Sequence, residues 1–129
     1  MPRLVKKQHT PAEESFIPTA RRIAESAADK KAKDIKAYDV RGFTVMADSF
    51  LLCTATSEPQ MKAVANAVRE DMREVGRSPR NVEGTHRDGW VLLDFGDVIV
   101  HVFREQARAF YDLDGMWADA PEIALDIQP

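Results

Sequence analysis

The chain has 129 residues, 44% of them hydrophobic, which is enough for one ordinary domain that buries its core without a metal or a disulfide. Its single cysteine, Cys53, rules out an internal disulfide framework, and no apolar run approaches a membrane span or a signal-peptide core, so a cytoplasmic protein is predicted. A formal net charge of -3 argues against a protein whose main business is coating a phosphate backbone.

Residues 1–15 contain two prolines, Lys6-Lys7 and no sustained apolar period, and read as a mobile N-terminal tail. From about Thr19 to Lys33, Ala20, Ile23, Ala24, Ala27 and Ala28 recur at helical spacing, giving a helix with a thin, Ala-rich stripe. Ile35 to Val40 reads as extended and leads to a turn at Arg41-Gly42. Ser49 to Thr56 reads as a buried strand, because Phe50, Leu51, Leu52 and Cys53 leave no wet face. Cys53 is then a small core thiol rather than a nucleophile.

The next boundary is the best marked in the chain. Ser57 and Gln60 have capping-box spacing, and Pro59 sits in the first turn, where its missing N–H costs little. Met61, Val64, Ala65, Val68, Met72 and Val75 share one stripe and Gly76 can close it, which predicts a helix over 58–75. Arg69, Arg73, Arg77 and Arg80 follow this helix and its exit, but Glu70, Asp71 and Glu74 are interleaved. That pattern reads as a solvated mixed-charge face rather than an RNA footprint.

Strand, helix and strand in succession predict a right-handed crossover joining Ser49–Thr56 to Trp90–Phe95 as parallel neighbours. Arg77 to Gly89, with Pro79, Glu83-Gly84 and His86, reads as a long connection of the kind that carries binding function. Gly89 to Phe103 consists of two β-branched-rich runs around a Gly-containing tip, a hairpin signal. Val98, Val100 and Val102 alternate with Asp97, Ile99 and His101, so the Val face is the expected core and the other face carries polar groups. A two-residue turn at Phe95-Gly96 sets Leu93 and Val91 across from Val98 and Val100, with Trp90 opposite His101. A type I turn closed by a Gly96 bulge suits Phe95 better, and both registers stay open.

Glu105 to Leu113 reads as a short helix presenting Ala107, Phe110 and Tyr111, followed by Met116-Trp117. Residues 118–129 read as a loosely held acidic tail, which leaves 16–117 as the domain. The fold class expected is α/β (α+β), with a right-handed β-α-β crossover and a C-terminal β-hairpin flanked by helices.

Asp94, Asp97 and His101 are residue types suited to a divalent metal or to acid–base work. Four residues along a strand span roughly 13 Å, so Asp97 and His101 share a face without forming a dyad. Asp94 and Asp97 flank the tip, where aspartates commonly serve as turn formers. Asp94-Phe95-Gly96 matches the kinase magnesium motif, but no Gly-rich loop or catalytic loop accompanies it. His101 reads as a strand histidine, since neither His9 nor His86 has metal-ligand spacing to it. Catalysis is therefore poorly supported, and no metal or cofactor is expected. More telling is the aromatic concentration near the C-terminus: Trp90, Phe95, Phe103, Phe110, Tyr111 and Trp117. Core mass accounts for most of them, but Trp and Tyr are also common interface anchors, and Trp90 stays open between the two roles.

Several of these segments together resemble the ribosomal silencing factor (Iojap) family. They are Asp39-Val40-Arg41-Gly42, Asp48-Ser49-Phe50, Thr54-Ala55-Thr56-Ser57 with the Gln60-led helix, Glu83-Gly84, the run from Gly89 to Phe103, and Phe110-Tyr111-Asp112-Leu113 with Trp117. The similarity covers about Ile23 to Trp117. It implies a non-catalytic domain with a mixed sheet, nucleotidyltransferase-like in shape and often homodimeric. It further implies binding to large-subunit ribosomal protein fourteen on the subunit interface, which blocks joining of the small and large subunits and represses translation when nutrients run short. Carried onto this sequence, the candidate contact residues are Trp90, Asp94, Asp97, His101, Tyr111, Leu113 and Trp117. The acidic balance suits a basic ribosomal protein, and Lys6-Lys7 is a candidate minor contact to ribosomal RNA. Two rivals stand beside this expectation: a small magnesium-dependent nucleotidyltransferase using Asp94 and Asp97, although the Gly-Ser motif of such enzymes is missing, and a dimeric scaffold with no ribosomal role.

Overall fold

The computed structural model describes residues 16–127; the expected N-terminal tail and Lys6-Lys7 lie outside the described residues. The elements in chain order are α1 (Phe16–Asp29), β1 (Lys33–Asp39), β2 (Ser49–Ala55), α2 (Glu58–Glu74), β3 (Asn81–Thr85), β4 (Trp90–Asp94), β5 (Val98–Arg104), α3 (Glu105–Tyr111), α4 (Leu113–Met116) and β6 (Glu122–Ile123). The strands form one mixed sheet in the order β3-β4-β5-β2-β1-β6. Among the described residues only the β2–β5 pair is parallel.

The α1 stripe is buried as its spacing predicts, with Phe16, Ala20, Ile23, Ala24 and Ala27 in the core. The helix stops at Asp29 rather than near Lys33. Lys31 turns left-handed (φ 68°) and the Ala32 N–H reaches back to the Ala27 carbonyl, which turns the chain into β1. For α2, Ser57 Oγ accepts from the Gln60 N–H at 3.1 Å, as expected of the cap. The Gln60 side chain does not return to Ser57. Its oxygen accepts from the Thr56 N–H and hydroxyl (2.6 and 2.9 Å), and its amide donates to the Lys30 and Lys31 carbonyls (3.0 Å each). One side chain thus pins the α1–β1 turn to the β2–α2 turn. Gly76 (φ 79°) closes α2, with its own N–H on the Arg73 carbonyl and that of Arg77 on the Met72 carbonyl. Val75, expected on the buried stripe, is the exposed cap.

The expected crossover joins a different strand. The parallel partner of β2 is β5, and Trp90–Asp94 lies beyond it, antiparallel. Because β4 and β5 form a hairpin, only one of them can run parallel to β2. β5, buried at every position but Arg104, takes the central place, and β4, with half-buried Trp90, Leu92 and Asp94, lies outside it. Nor is Arg77 to Gly89 a bare loop, since it contains β3, an edge strand with all five residues exposed. No apolar alternation marks it because neither face is covered. Gly84 is required there: its φ is +84°, and a Cβ would lie 2.0 Å from the Trp90 carbonyl oxygen.

Neither proposed hairpin register is the one formed. Leu93 pairs with Val100, Val91 with Val102 and Trp90 with Phe103, leaving four residues, Phe95 to Val98, after the last pair Asp94–Ile99. A turn at Phe95-Gly96 would have put Phe95 at the tip; instead its N–H donates to the Val98 carbonyl at 3.0 Å, which leaves Gly96-Asp97 at the tip, and Phe95 is buried. The slip from the first register is two residues, so the faces are preserved and Val98, Val100 and Val102 do face the core. The opposite face is not wet either. Ile99, His101 and Phe103 are buried beneath Leu113, Trp117 and Ala120 of the C-terminal segment. The sheet is thus the middle layer, with α1 and α2 on one side and the α3–α4 segment on the other.

The helix expected over Glu105 to Leu113 is broken in two. Asp112 adopts φ 50°, ends α3 through its N–H on the Arg108 carbonyl, and begins α4 by accepting from the Gly115 N–H at 3.1 Å. After Trp117 the chain is held rather than loose. The Asp39 N–H donates to the Pro121 carbonyl, β6 pairs with β1, and Ile123, Leu125 and Ile127 pack on the helical side of the sheet. Apolar residues at alternate positions give this acidic segment one face to bury.

Candidate interaction face

Alternation along the three adjacent strands sends Phe50 and Leu52 of β2, His101 and Phe103 of β5, and Trp90 and Leu92 of β4 to the side away from α1 and α2. The rings collect there. Trp90 lies against Tyr111 (centroids 4.5 Å), Phe103 (5.1 Å) and His101 (5.9 Å); Phe50 bridges His101 (5.2 Å) and Trp117 (5.1 Å, edge-on). The structure therefore brings Trp90, His101, Tyr111 and Trp117 into one cluster, with Leu113 buried in the same layer.

His101 is only 3% exposed, and burial lowers its pKa to about 4. Its Nδ1 accepts the Trp90 indole N–H at 3.1 Å, so the neutral ring carries its proton on Nε2. That Nε2 and the Trp117 indole nitrogen are buried without hydrogen-bond partners among the described residues.

Asp94 and Asp97 do not join this cluster. At the hairpin tip, Asp94 Oδ1 accepts from the Gly96 N–H at 2.7 Å and meets Arg80 at 3.2 Å. Asp97 takes Arg77 at 2.6 Å, while its carbonyl accepts the Asp48 and Ser49 N–H groups. Asp94 thus acts as a turn former, as expected, and is also held by Arg80, whereas the Asp97 carboxylate is held by Arg77. Among the described residues no three His, Cys, Asp or Glu side chains come together in a way that could hold a metal ion. Burial raises the Cys53 thiol to about 12, as befits an inert core group.

The outward surface of this layer joins Tyr111, an expected contact residue, to two residues outside the expected set, Phe110 and Met116. Phe110 is 80% exposed, Met116 65% and Tyr111 47%, all on α3–α4. Adjacent helical residues can share a buried face, as Ile23 and Ala24 do, so the spacing of Phe110 and Tyr111 carried no signal of their exposure. Phe43, Val45 and Met46, between β1 and β2, are also exposed. Of the expected contact residues, Tyr111 offers the most surface, Trp90 and Trp117 are half-buried, and His101 and Leu113 are interior.

Residues 13–129 match the family model described as "Ribosomal silencing factor during starvation". Among curated relatives, the chain is 42% identical to ribosomal silencing factor RsfS of Bacillus subtilis over 106 residues, covering 81% of this chain and 90% of that protein. It is 38% identical to the chloroplastic protein Iojap of Zea mays over 103 residues, covering 80% of this chain and 45% of that longer protein. Among solved structures, a protein from Chromobacterium violaceum superposes with a TM-score of 0.74 at 32% identity, covering 87% of this chain and 93% of that one. One from Bacillus halodurans gives 0.72 at 33% identity, covering 87% and 100%.

Proposed function

This chain belongs to the ribosomal silencing factor family, and on that premise we propose that it docks on the large ribosomal subunit through ribosomal protein fourteen and keeps the small subunit from joining. The observation that carries this reading is the α3–α4 surface, where Phe110, Tyr111 and Met116 are exposed over a floor of packed rings that includes Trp90. Large aromatic side chains held on a rigid base are what a protein partner selects as anchors. A folded domain seated where another particle must pack excludes it by occupancy and needs no catalytic group. Phe110, Tyr111 and Met116, with the half-buried Trp90 and Trp117, are the contact residues of this reading. His101 and Leu113 support them from beneath, and Asp94 and Asp97 hold the hairpin tip.

The reading includes a non-catalytic, cytoplasmic protein and homodimers in the free state. An acidic chain approaching a basic ribosomal protein gains encounter rate at low salt. No observation favours the nucleotidyltransferase alternative, because Asp94 and Asp97 each face an arginine. The test is a sucrose gradient of purified subunits with the full chain added. Co-migration with large subunits and a reduced monosome peak are expected. Free chain at the top of the gradient with full monosome assembly would overturn the proposal.

A further inference from the structure

The α3 helix carries the exposed rings and has no fully buried residue; its apolar contacts with the layer beneath are Ala107 and the Tyr111 ring on Trp90, a small area to which polar bonds must add if the helix is to be fixed on the sheet. Arg108, at its centre, points inward with a side chain only 11% exposed. Its guanidinium donates to three separate elements: the Asp34 carbonyl in β1 (2.5 Å), the Thr54 hydroxyl in β2 (2.9 Å), and both carboxylate oxygens of Asp114 in α4 (2.9 and 3.0 Å). The Tyr38 hydroxyl adds a bond to the same carboxylate at 2.8 Å. A planar fork holding a carboxylate with two parallel bonds sets orientation as well as distance. With Asp112 as a left-handed hinge between the two helices, this pair sets the angle at which α3 and α4 meet.

Building on the docking face proposed above, we propose that Arg108 is its positioning residue: without touching the partner, it holds Phe110, Tyr111 and Met116 in the arrangement the partner recognises. Losing it leaves the rings in place chemically but free to reorient, and the cost of ordering them then falls on the binding step.

The experiment uses the full chain and purified large subunits, with Kd, amide exchange and urea midpoint measured for Arg108→Ala, Arg108→Lys, Phe110→Ala and the double variant Arg108→Ala with Phe110→Ala. Arg108→Ala is expected to raise Kd about tenfold and to speed exchange over residues 105–116 while β2 and β5 stay protected. Arg108→Lys should not restore binding, because a single ammonium cannot grip Asp114 with two bonds and still reach β1 and β2. Phe110→Ala should cost much less affinity in the Arg108→Ala background than alone, a non-additivity that a general loss of stability does not produce. Should Arg108→Ala fail to fold, Asp114→Asn, which leaves the bonds to Asp34 and Thr54 in place, is expected to show the same pattern in weaker form. Unchanged Kd alongside faster exchange in α3–α4, additive losses, or protection lost equally from β2 and β5 would each overturn the role of Arg108 while leaving the docking proposal standing. Failure of the unmodified chain to bind large subunits would remove both.

Discussion

Trp90 and His101 are joined by an N–H···N hydrogen bond of 3.1 Å although they are not paired in the sheet: Trp90 faces Phe103 and Leu92 faces His101. The bond therefore runs diagonally across the hairpin, within reach of an indole but not of smaller side chains. It fixes the tautomer of a buried histidine and the orientation of the ring on which Tyr111 rests.

The buried histidine makes stability depend on pH. Its pKa is lowered from 6.5 to about 4, so between those values the unfolded chain binds a proton that the folded chain refuses. His101 therefore contributes fully above the unfolded value, and its contribution falls as pH drops, by about 3 kcal/mol by the folded value. Urea unfolding at several pH values should show this loss, and His101→Gln should flatten it. An identical slope in the variant would assign the pH dependence elsewhere.

Trp90→Phe keeps a ring but deletes the donor, leaving His101 Nδ1 buried and unbonded. The expected loss is about 1–3 kcal/mol, read as a lower urea midpoint. Trp90→Ala also removes the support under Tyr111 and Phe103, with about 3–5 kcal/mol expected if the ring behaves as core. A Phe variant as stable as the parent would mean that the diagonal bond contributes nothing net.

Gln60 makes four hydrogen bonds between two turns. Gln60→Ala should destabilise by about 1–2 kcal/mol, and Gln60→Glu by at least as much, since a carboxylate would then face two backbone carbonyls. Chemical denaturation of both variants distinguishes this from a simple loss of packing, for which the Glu variant would be the milder.

At Gly84 any side chain meets the Trp90 carbonyl, and the backbone is left-handed. Gly84→Ala should cost about 2 kcal/mol or more and should release β3 while the central strands persist. Amide exchange accelerated over residues 81–85, with β5 unchanged, is the expected result; uniform acceleration would mean that β3 is integral to the core.

Phe110 contributes little to the core, so Phe110→Ser should alter stability by less than about 0.5 kcal/mol. If α3–α4 is the docking surface, the same change weakens large-subunit binding about tenfold or more, measured by co-sedimentation. Full binding by a stably folded Phe110→Ser chain would move the contact elsewhere on the molecule.

Much of the frame was legible in the residues. The Ser57–Gln60 cap, the Pro59 start and the stripe from Met61 to Met72 locate α2 because each signal is local and they agree. Alternation in Val98, Val100 and Val102 gave the core face of β5 correctly, since a slip of two residues leaves faces unchanged. What the residues could not disclose depends on distant parts of the chain. That β5 rather than β4 adjoins β2 is decided by competition for the doubly covered position. That His101 is dry depends on residues 113–120 closing over it, and β3 has no apolar pattern to announce it. The aromatic cluster was visible as composition, but the division between the floor (Trp90, Phe103) and the surface (Phe110, Tyr111) depends on how α3 is seated over the sheet, through bonds from Arg108 to Asp34 and Thr54 that no periodicity records.

The strand order has a consequence for synthesis. The segment that joins the two halves of the sheet, Val98–Arg104, is made after both β1–β2 and β3–β4. A nascent chain that stops short of it holds two separate antiparallel pairs, each marginal in water, with the gap between them unfilled. The helices proposed to touch the ribosome are made later still. A product cut short before Val98 is thus expected to lack both the joined sheet and the proposed docking surface, and to be inert and quickly degraded rather than partly active.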